Sequence, residues 1–379
     1  MRILFSPMPA FGHLYPLLPL VRAFRGHGDD VAFVGPPSLG QMVASEDAEV
    51  LSAGAEIPEL LGEVIRRTGI DPVAGGTPDT DTEAELFVGV RPDLSFDDAL
   101  PLVREWRPDL IVGDSYDYLG PLLAARLDVP FGTVTLGPEF RPDQTVALQS
   151  KVDLRAERGL GLRKPVFVAD ICPPVMQVDH WQRPEHWLPL RPESHRAPNG
   201  PEPKSSSPVD GERPRVLITF GTLFGSPKVL NPLINEVAAL DADLRVTLGP
   251  AATPEEFDVD RERVQFEPFR PMAELLSDCD VVVCHGGAGT TLGALSLGIP
   301  LVVLPYAADQ FAVADRVVVS GAGLRLLPEE AAVESRIRQA VTELLTDSAF
   351  RDRAAKVAAQ IAGMPTAAEV VESIAEILG

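Results

Sequence analysis

Residues 281–298 read V-V-V-C-H-G-G-A-G-T-T-L-G-A-L-S-L-G, a pattern suited to holding an anion. Val281, Val282 and Val283 are β-branched and suit a buried strand, whereas Leu292, Ala294, Leu295 and Leu297 give the next run a helical apolar face. Between the two, Gly286, Gly287 and Gly289 allow close approaches that a Cβ forbids. The amides from about Ala288 to Thr291 then open a helix, pointing outward with the positive end of its dipole behind them. That is a cradle for phosphate. A second glycine turn, F-G-T at 220–222, also follows a strand pattern. In a parallel sheet both turns fall at one edge, so Thr222 and the amides of Gly287, Ala288, Gly289 and Thr290 can face the same diphosphate. His285 adds a ring N–H donor; its alternative role is a turn histidine satisfied by backbone.

A different chemistry is available near the N-terminus. His13 lies in the loop S-P-M-P-A-F-G-H after a first strand, and Asp114 ends another strand at L-I-V-G-D. A carboxylate bonded to one imidazole nitrogen fixes the tautomer and leaves the other nitrogen as a base. Each residue has a structural alternative: His13 as a helix N-terminal cap, Asp114 as the cap of a helix after Tyr116.

These side chains need rigid elements behind them. Residues 2–5, 31–34, 110–112 and 131–135 read as strands, with helices over 14–25 and 118–126, which is a βαβ order and predicts parallel pairing. A second alternating series places strands at 216–220, 244–247, 281–284 and 301–304, with helices near 229–240, 272–277 and 289–297. Residues 188–214 are proline-rich and polar, the composition of a linker. The expected division is an N-terminal domain over 1–190, a linker over 191–214, a C-terminal domain over 215–363 and a final helix over 364–379 that packs back on the first domain. Residues 71–85 carry glycine, proline and acid without an apolar period and read as a mobile insertion or lid. Asp79-Thr80-Asp81 within it has the form of a metal-binding DxD, but no strand leads into it.

At 379 residues the chain exceeds the size of one core, so two domains are expected. A formal net charge of −22 disfavours nucleic acid and anionic membranes as partners, so an anionic ligand must bind through local donors. The 3 cysteines include no CxxC pair, which argues against a disulfide framework or a zinc site. Prolines interrupt the apolar N-terminus and no apolar run is long enough to span a bilayer, so neither a signal peptide nor a membrane anchor is expected; a cytoplasmic protein is.

Gly287, Gly289 and Gly293 also spell GxGxxxG with Asp309 about twenty residues on, the form of a dinucleotide site and of an NAD(P)-dependent oxidoreductase. Against it, the turn falls on a late strand of its domain and His285 precedes the glycines.

F-G-H-L-Y-P-L-L-P-L at 11–20, R-P-D-L-I-V at 107–112, T-F-G-T at 219–222, H-G-G-A-G-T-T-L-G-A-L at 285–295 and P-Y-A-A-D-Q at 305–310 occur in this order. With them the chain resembles, along its whole length, the family 1 nucleotide-sugar glycosyltransferases of the GT-B fold, and within them the actinobacterial enzymes that decorate macrolides, enediynes and aromatic polyketides. The resemblance implies an α/β protein of two doubly wound, Rossmann-like domains facing a central cleft. It implies His13 as general base with Asp114 as its partner. It implies Thr222, His285, Gly287, Ala288, Gly289 and Thr290 as the diphosphate cradle, Asp309 and Gln310 as sugar ligands, and Phe269 and Arg270 beside the base. Where the family usually carries W-x-P-Q this chain has F-R-P-M at 269–272, so base stacking would rest on Phe269, with TDP ahead of UDP by resemblance. Phe11 is an acceptor-pocket candidate, and Met8, Tyr15, Phe87, Tyr116 and Phe140 are further candidates, each with a plain core role as its alternative.

The expected activity is inverting transfer of a deoxysugar from a TDP- or UDP-sugar to a hydroxyl of a hydrophobic natural-product acceptor, with no metal or other cofactor. An epimerase or hydrolase on the same fold and a non-catalytic partner of another transferase are the alternatives. A homodimer is compatible with the sequence.

Overall fold

The structure is a computed structural model that describes residues 1–72, 79–197, 213–221, 227–249, 252–268 and 270–379. The chain divides into two units: Met1–Cys172, Asp179–Arg191 and Met364–Gly379 form unit 1, and Pro173–Val178 with Pro192–Gly363 form unit 2.

Unit 1 is built on seven parallel strands: β1 (Arg2–Phe5), β2 (Asp30–Gly35), β3 (Glu49–Ser52), β4 (Leu110–Asp114), β5 (Phe131–Val134), β6 (Pro165–Asp170) and β7 (Trp187–Pro189), in the order β3-β2-β1-β4-β5-β6-β7. Helices on both faces explain why the central strands carry unbroken apolar runs: Ile3, Leu4, Phe5, Leu110, Ile111 and Val112 are all fully buried. Strand order reverses between β1 and β4, where Phe5 pairs with Val112. A crevice forms at the carboxyl ends of such a pair. The loops after β1 and β4 therefore leave the sheet side by side.

Unit 2 repeats the plan with β8 (Arg215–Thr219), β9 (Asp243–Thr247), β10 (Val264–Glu267), β11 (Val281–Cys284), β12 (Leu301–Val303) and β13 (Gly323–Arg325), in the order β10-β9-β8-β11-β12-β13. Its core joins Val216, Ile218, Val281 and Val283 of the sheet to Leu233, Ile234, Val341 and Leu344 of flanking helices. Here the order reverses between β8 and β11, and Cys284 pairs with Thr219.

Several expectations are corrected. The run read as one helix over 14–25 is instead a short helix Phe11–Leu14, a 3-10 turn Tyr15–Leu17 and a helix Leu18–His27. Pro16 and Pro19 lack the N–H that a continuous helix needs, and each sits in the first turn of its own segment. In the stretch read as a mobile insertion, residues 79–85 are ordered: Thr80–Ala84 is helical and runs into a π-helix, Glu85–Val90, and then a long helix, Arg91–Trp106. The Asp79 carboxylate accepts the Thr82 N–H at 2.8 Å, so the first acid of the DxD serves as an N-cap. Residues 73–78 lie outside the described part. The stretch read as linker from 188 begins later, because Trp187–Pro189 forms an edge strand, where proline is tolerated. Apart from these corrections, two C-terminal helices, Ser348–Ala362 and Ala367–Leu378, are separated at Gly363–Thr366, and the second packs on Leu18–His27 within unit 1.

Candidate active site

In unit 1 the two sheet-edge loops bring His13 and Asp114 together. Although 101 residues apart in sequence, His13 Nδ1 lies 3.1 Å from Asp114 Oδ1. The Asp114 side chain is fully buried, whereas 18% of the His13 side chain reaches solvent. Asp114 Oδ1 also accepts the Tyr116 N–H at 2.8 Å. Burial alone would raise the Asp114 pKa, but His13, the Arg91 charge and the Tyr116 N–H outweigh it and hold the carboxyl below its ordinary range. An ionised Asp114 selects the tautomer with a proton on Nδ1. Nε2 is then left bare as a base, and the imidazolium is stabilised once formed.

Neither structural alternative describes this pair. His13 sits inside Phe11–Leu14, whose N-cap is Ala10. The helix Leu119–Leu127 is served by Asp117, which accepts the N–H groups of Leu119 and Gly120 at 3.0 and 3.1 Å.

Aromatic rings surround His13. Phe87, in the π-helix, and Tyr116 each lie 5.7 Å from it between centroids, Phe87 stacks on Tyr116 at 4.6 Å, and Tyr116 on Phe140 at 4.7 Å. Phe11 and Tyr15 form a separate pair at 5.1 Å, both half-buried. Burial pushes the Tyr15 phenol up to about 12, so it stays protonated at neutral pH. Two acceptor-pocket candidates are buried. Met8 is 3% exposed and packs against Leu60, Val64, Leu86 and Val90, which makes it a core residue. Tyr116 is buried too, with its hydroxyl bonded to Gln144 Nε2 at 3.0 Å, so it supports His13 from behind.

Unit 2 brings the two glycine turns together at the strand reversal. His285 follows β11 and Gly221 lies just past β8, so the imidazole rests between Gly221 and Gly287. A Cβ on Gly221, where φ is +66°, would stand 3.0 Å from His285 Cε1, and one on Gly287 would stand 2.7 Å from Nε2. Only glycine admits the ring on both sides. Burial lowers the His285 pKa to about 4 against an opposing hydrogen bond to the Thr219 backbone, so the ring is neutral at physiological pH and its one N–H is given to that backbone. Gly287 is the N-cap of the helix Ala288–Ser296, and its carbonyl accepts from Thr291. The N–H groups of Ala288, Gly289 and Thr290 precede the first intrahelical bond and carry the positive helix end.

The remaining donor candidates differ in fate. Asp309 is the half-buried N-cap residue of Gln310–Ser320. Gln310 is 4% exposed, and its Oε1 accepts the N–H groups of Tyr306 and Ala307 at 2.8 and 3.0 Å, which ties the turn before Asp309. Its carbonyl oxygen is therefore committed to the backbone. Arg270 lies 2.9 Å from Glu267 and 3.8 Å from Glu274, held by carboxylates of neighbouring elements. Thr222 and Phe269 lie outside the described residues.

Sequence reasoning missed Arg91 and Asp117, a buried ion pair beside the dyad. The second acid of D-S-Y-D at 114–117 was a visible signal; Arg91 had none. Among the described residues no cluster of three or more His, Cys, Asp or Glu side chains is arranged to hold a metal ion, and no helix is long and apolar enough to cross a membrane.

Two doubly wound units, each with its functional turn at a strand reversal, define the architecture of GT-B transferases. The family model for the C-terminal domain of erythromycin biosynthesis protein CIII-like proteins matches residues 231–377. The chain is 30% identical over 409 residues to the elloramycin glycosyltransferase ElmGT of Streptomyces olivaceus, covering 100% of this chain and 98% of that one. It is 29% identical over 396 residues to the L-demethylnoviosyl transferase of Streptomyces niveus, covering 99% and 98%. Glycosyltransferase SsfS6 of Streptomyces sp. SF2575, solved in complex with thymidine diphosphate, matches with a TM-score of 0.78 at 28% identity over 99% of each chain. The chain belongs to the actinobacterial natural-product glycosyltransferases of the GT-B fold and is a glycosyltransferase. This displaces the oxidoreductase reading of GxGxxxG, whose turn follows the fourth strand of its sheet in chain order.

Proposed function

We propose that the protein transfers a sugar, with inversion, from a TDP-sugar to a hydroxyl of a hydrophobic natural-product aglycone. The observation that carries this reading is the 3.1 Å contact between His13 Nδ1 and the buried, ionised Asp114. His13 Nε2 takes the proton of the acceptor hydroxyl as its oxygen attacks the anomeric carbon. The bond from that carbon to the diphosphate oxygen breaks, and the diphosphate leaves with the electron pair. One attack on the face opposite the leaving group inverts the centre.

The leaving charge develops at the helix beginning Ala288, whose amides donate to it, while the neutral His285 ring, bonded to the Thr219 backbone, packs beside that helix end. Fixed donors of this kind supply the stabilisation without a metal. Asp309, with the amide of Gln310, serves the sugar hydroxyls. The thymidine diphosphate named with SsfS6 supports TDP as the donor nucleotide, and the relatives' names support a natural-product acceptor.

The test is turnover of wild type and His13→Ala, read by mass spectrometry on TDP-sugars paired with hydroxylated aromatic and macrolide aglycones. Loss of about a hundredfold or more in the variant is expected, the range for a general base being ~10²–10⁴. TDP binding by calorimetry stays near wild type. Normal turnover by His13→Ala overturns the base assignment, and activity abolished by a chelator overturns the metal-free step.

A further inference from the structure

The groups that create the His13–Asp114 contact lie one layer behind it. Arg91 opens the long helix that follows the π-helix, and its side chain is 3% exposed. Its Nη1 donates to Asp117 Oδ1 at 2.5 Å, and its Nη2 donates to the carbonyls of Pro7 at 2.7 Å and Ser6 at 3.3 Å. Ser6 and Pro7 begin the loop from β1 that carries His13. Asp117 belongs to the loop that leaves β4 directly after Asp114, the last residue of that strand, and its N–H donates to the Asp114 carbonyl at 2.9 Å. One planar guanidinium thus bonds both loops at once, which the point charge of a lysine does not reproduce.

The backbone has been shaped around this pair. A Cβ on Gly113 would stand 2.2 Å from Asp117 Oδ2 and one on Gly120 would stand 2.3 Å from it, so the carboxylate occupies a slot that two glycines leave open. The pair contributes little that an apolar pair could not, because a buried ion pair gains about as much in attraction as it loses in desolvation. Geometry is what it supplies.

We propose that Arg91 and Asp117 are positioning residues that set the approach of His13 to Asp114 by cross-linking the segments that leave β1 and β4. The catalytic meaning of this device rests on the base assignment above, which His13→Ala turnover tests independently. The device itself is read without substrate. The Arg91 charge has a second effect, since it helps keep Asp114 ionised.

The experiment uses the full chain labelled with 15N at its 6 histidines, observed at about pH 8.5, where ordinary imidazoles are neutral. His27 is the internal control: its Nδ1 lies 2.9 Å from Asp29, at the opposite edge of the same sheet. Asp117→Asn keeps the shape and the helix-capping oxygen, and Arg91→Lys keeps the charge. In both variants His13 is expected to lose the single-tautomer signature with its proton on Nδ1, while His27 keeps its own. A His13 signature unchanged in both variants overturns the proposal. Simultaneous loss of the His13 and His27 signatures also overturns it, because the pair then serves the fold of the unit and not the dyad.

Discussion

Gly287 stands so close to His285 that a Cβ on it would lie 2.7 Å from Nε2. The imidazole and the first turn of the helix beginning Ala288 are therefore fixed relative to each other by the absence of one carbon atom. Gly287→Ala is expected to push the ring aside or tilt the helix end. Losing one charge-assisted hydrogen bond costs about 1.5–3 kcal/mol, so TDP should bind about tenfold to a hundredfold more weakly. Isothermal titration of wild type and variant with TDP measures this. Unchanged affinity would show that the ring does not fix the helix end that meets the ligand.

His285 also has a signature in stability. Its pKa is lowered to about 4 by burial, against an ordinary value of about 6.5 in the unfolded chain. Between those values the unfolded chain binds a proton that the folded chain does not, so falling pH favours unfolding. The loss begins as pH drops below about 6.5, approaches ~1.4 kcal/mol per pH unit, and ceases below about 4. Urea midpoints of wild type and His285→Asn across pH 4 to 7 isolate this slope. It is expected to be shallower in the variant, and parallel curves would mean that folding leaves the His285 pKa unshifted.

Asp114 and His13 should not be equivalent. Asn at 114 keeps an oxygen that can accept from Nδ1–H, but its amide can also donate to Nδ1 and select the wrong tautomer. Asp114→Asn is therefore expected to reduce turnover by less than His13→Ala, with substrate binding little changed. A larger loss than that of His13→Ala would make the carboxylate the principal group.

The parts of this arrangement visible in the sequence were those in which one residue type has few other uses. The apolar strands β1, β4, β8 and β11 declared themselves because strands buried on both faces cannot hide their composition. Glycine runs with His285 between them declared the anion turn. What stayed hidden was polar burial. Thr82, Glu83 and Glu85 fall in the stretch read as a mobile insertion or lid, yet they are buried, with Gln144 bonded to Glu83 and with Arg67 and Lys151 paired with Glu85. No period reports a carboxylate whose partner arrives from a distant helix. For Met8 the plain core alternative fits the packing, since its side chain lies in a core cluster. Arg91 was the least accessible of all, because its three partners are drawn from two loops that only the sheet brings together.

That pair yields a stability contrast. Burial raises the Asp117 pKa to about 6 even beside Arg91, so Arg91→Met leaves the fully buried carboxyl either unpaired or forced to take up a proton, and breaking such a pair costs up to about 3–5 kcal/mol. Adding Asp117→Asn removes the stranded charge while keeping an oxygen for the N–H groups of Leu119 and Gly120. The double variant should then be more stable than Arg91→Met alone, although it has lost one more native residue. Urea denaturation followed by the circular dichroism of the helices measures both midpoints. Equal midpoints would mean that the penalty comes from the lost bonds to Ser6 and Pro7 and not from buried charge, whereas recovery in the double variant assigns it to Asp117.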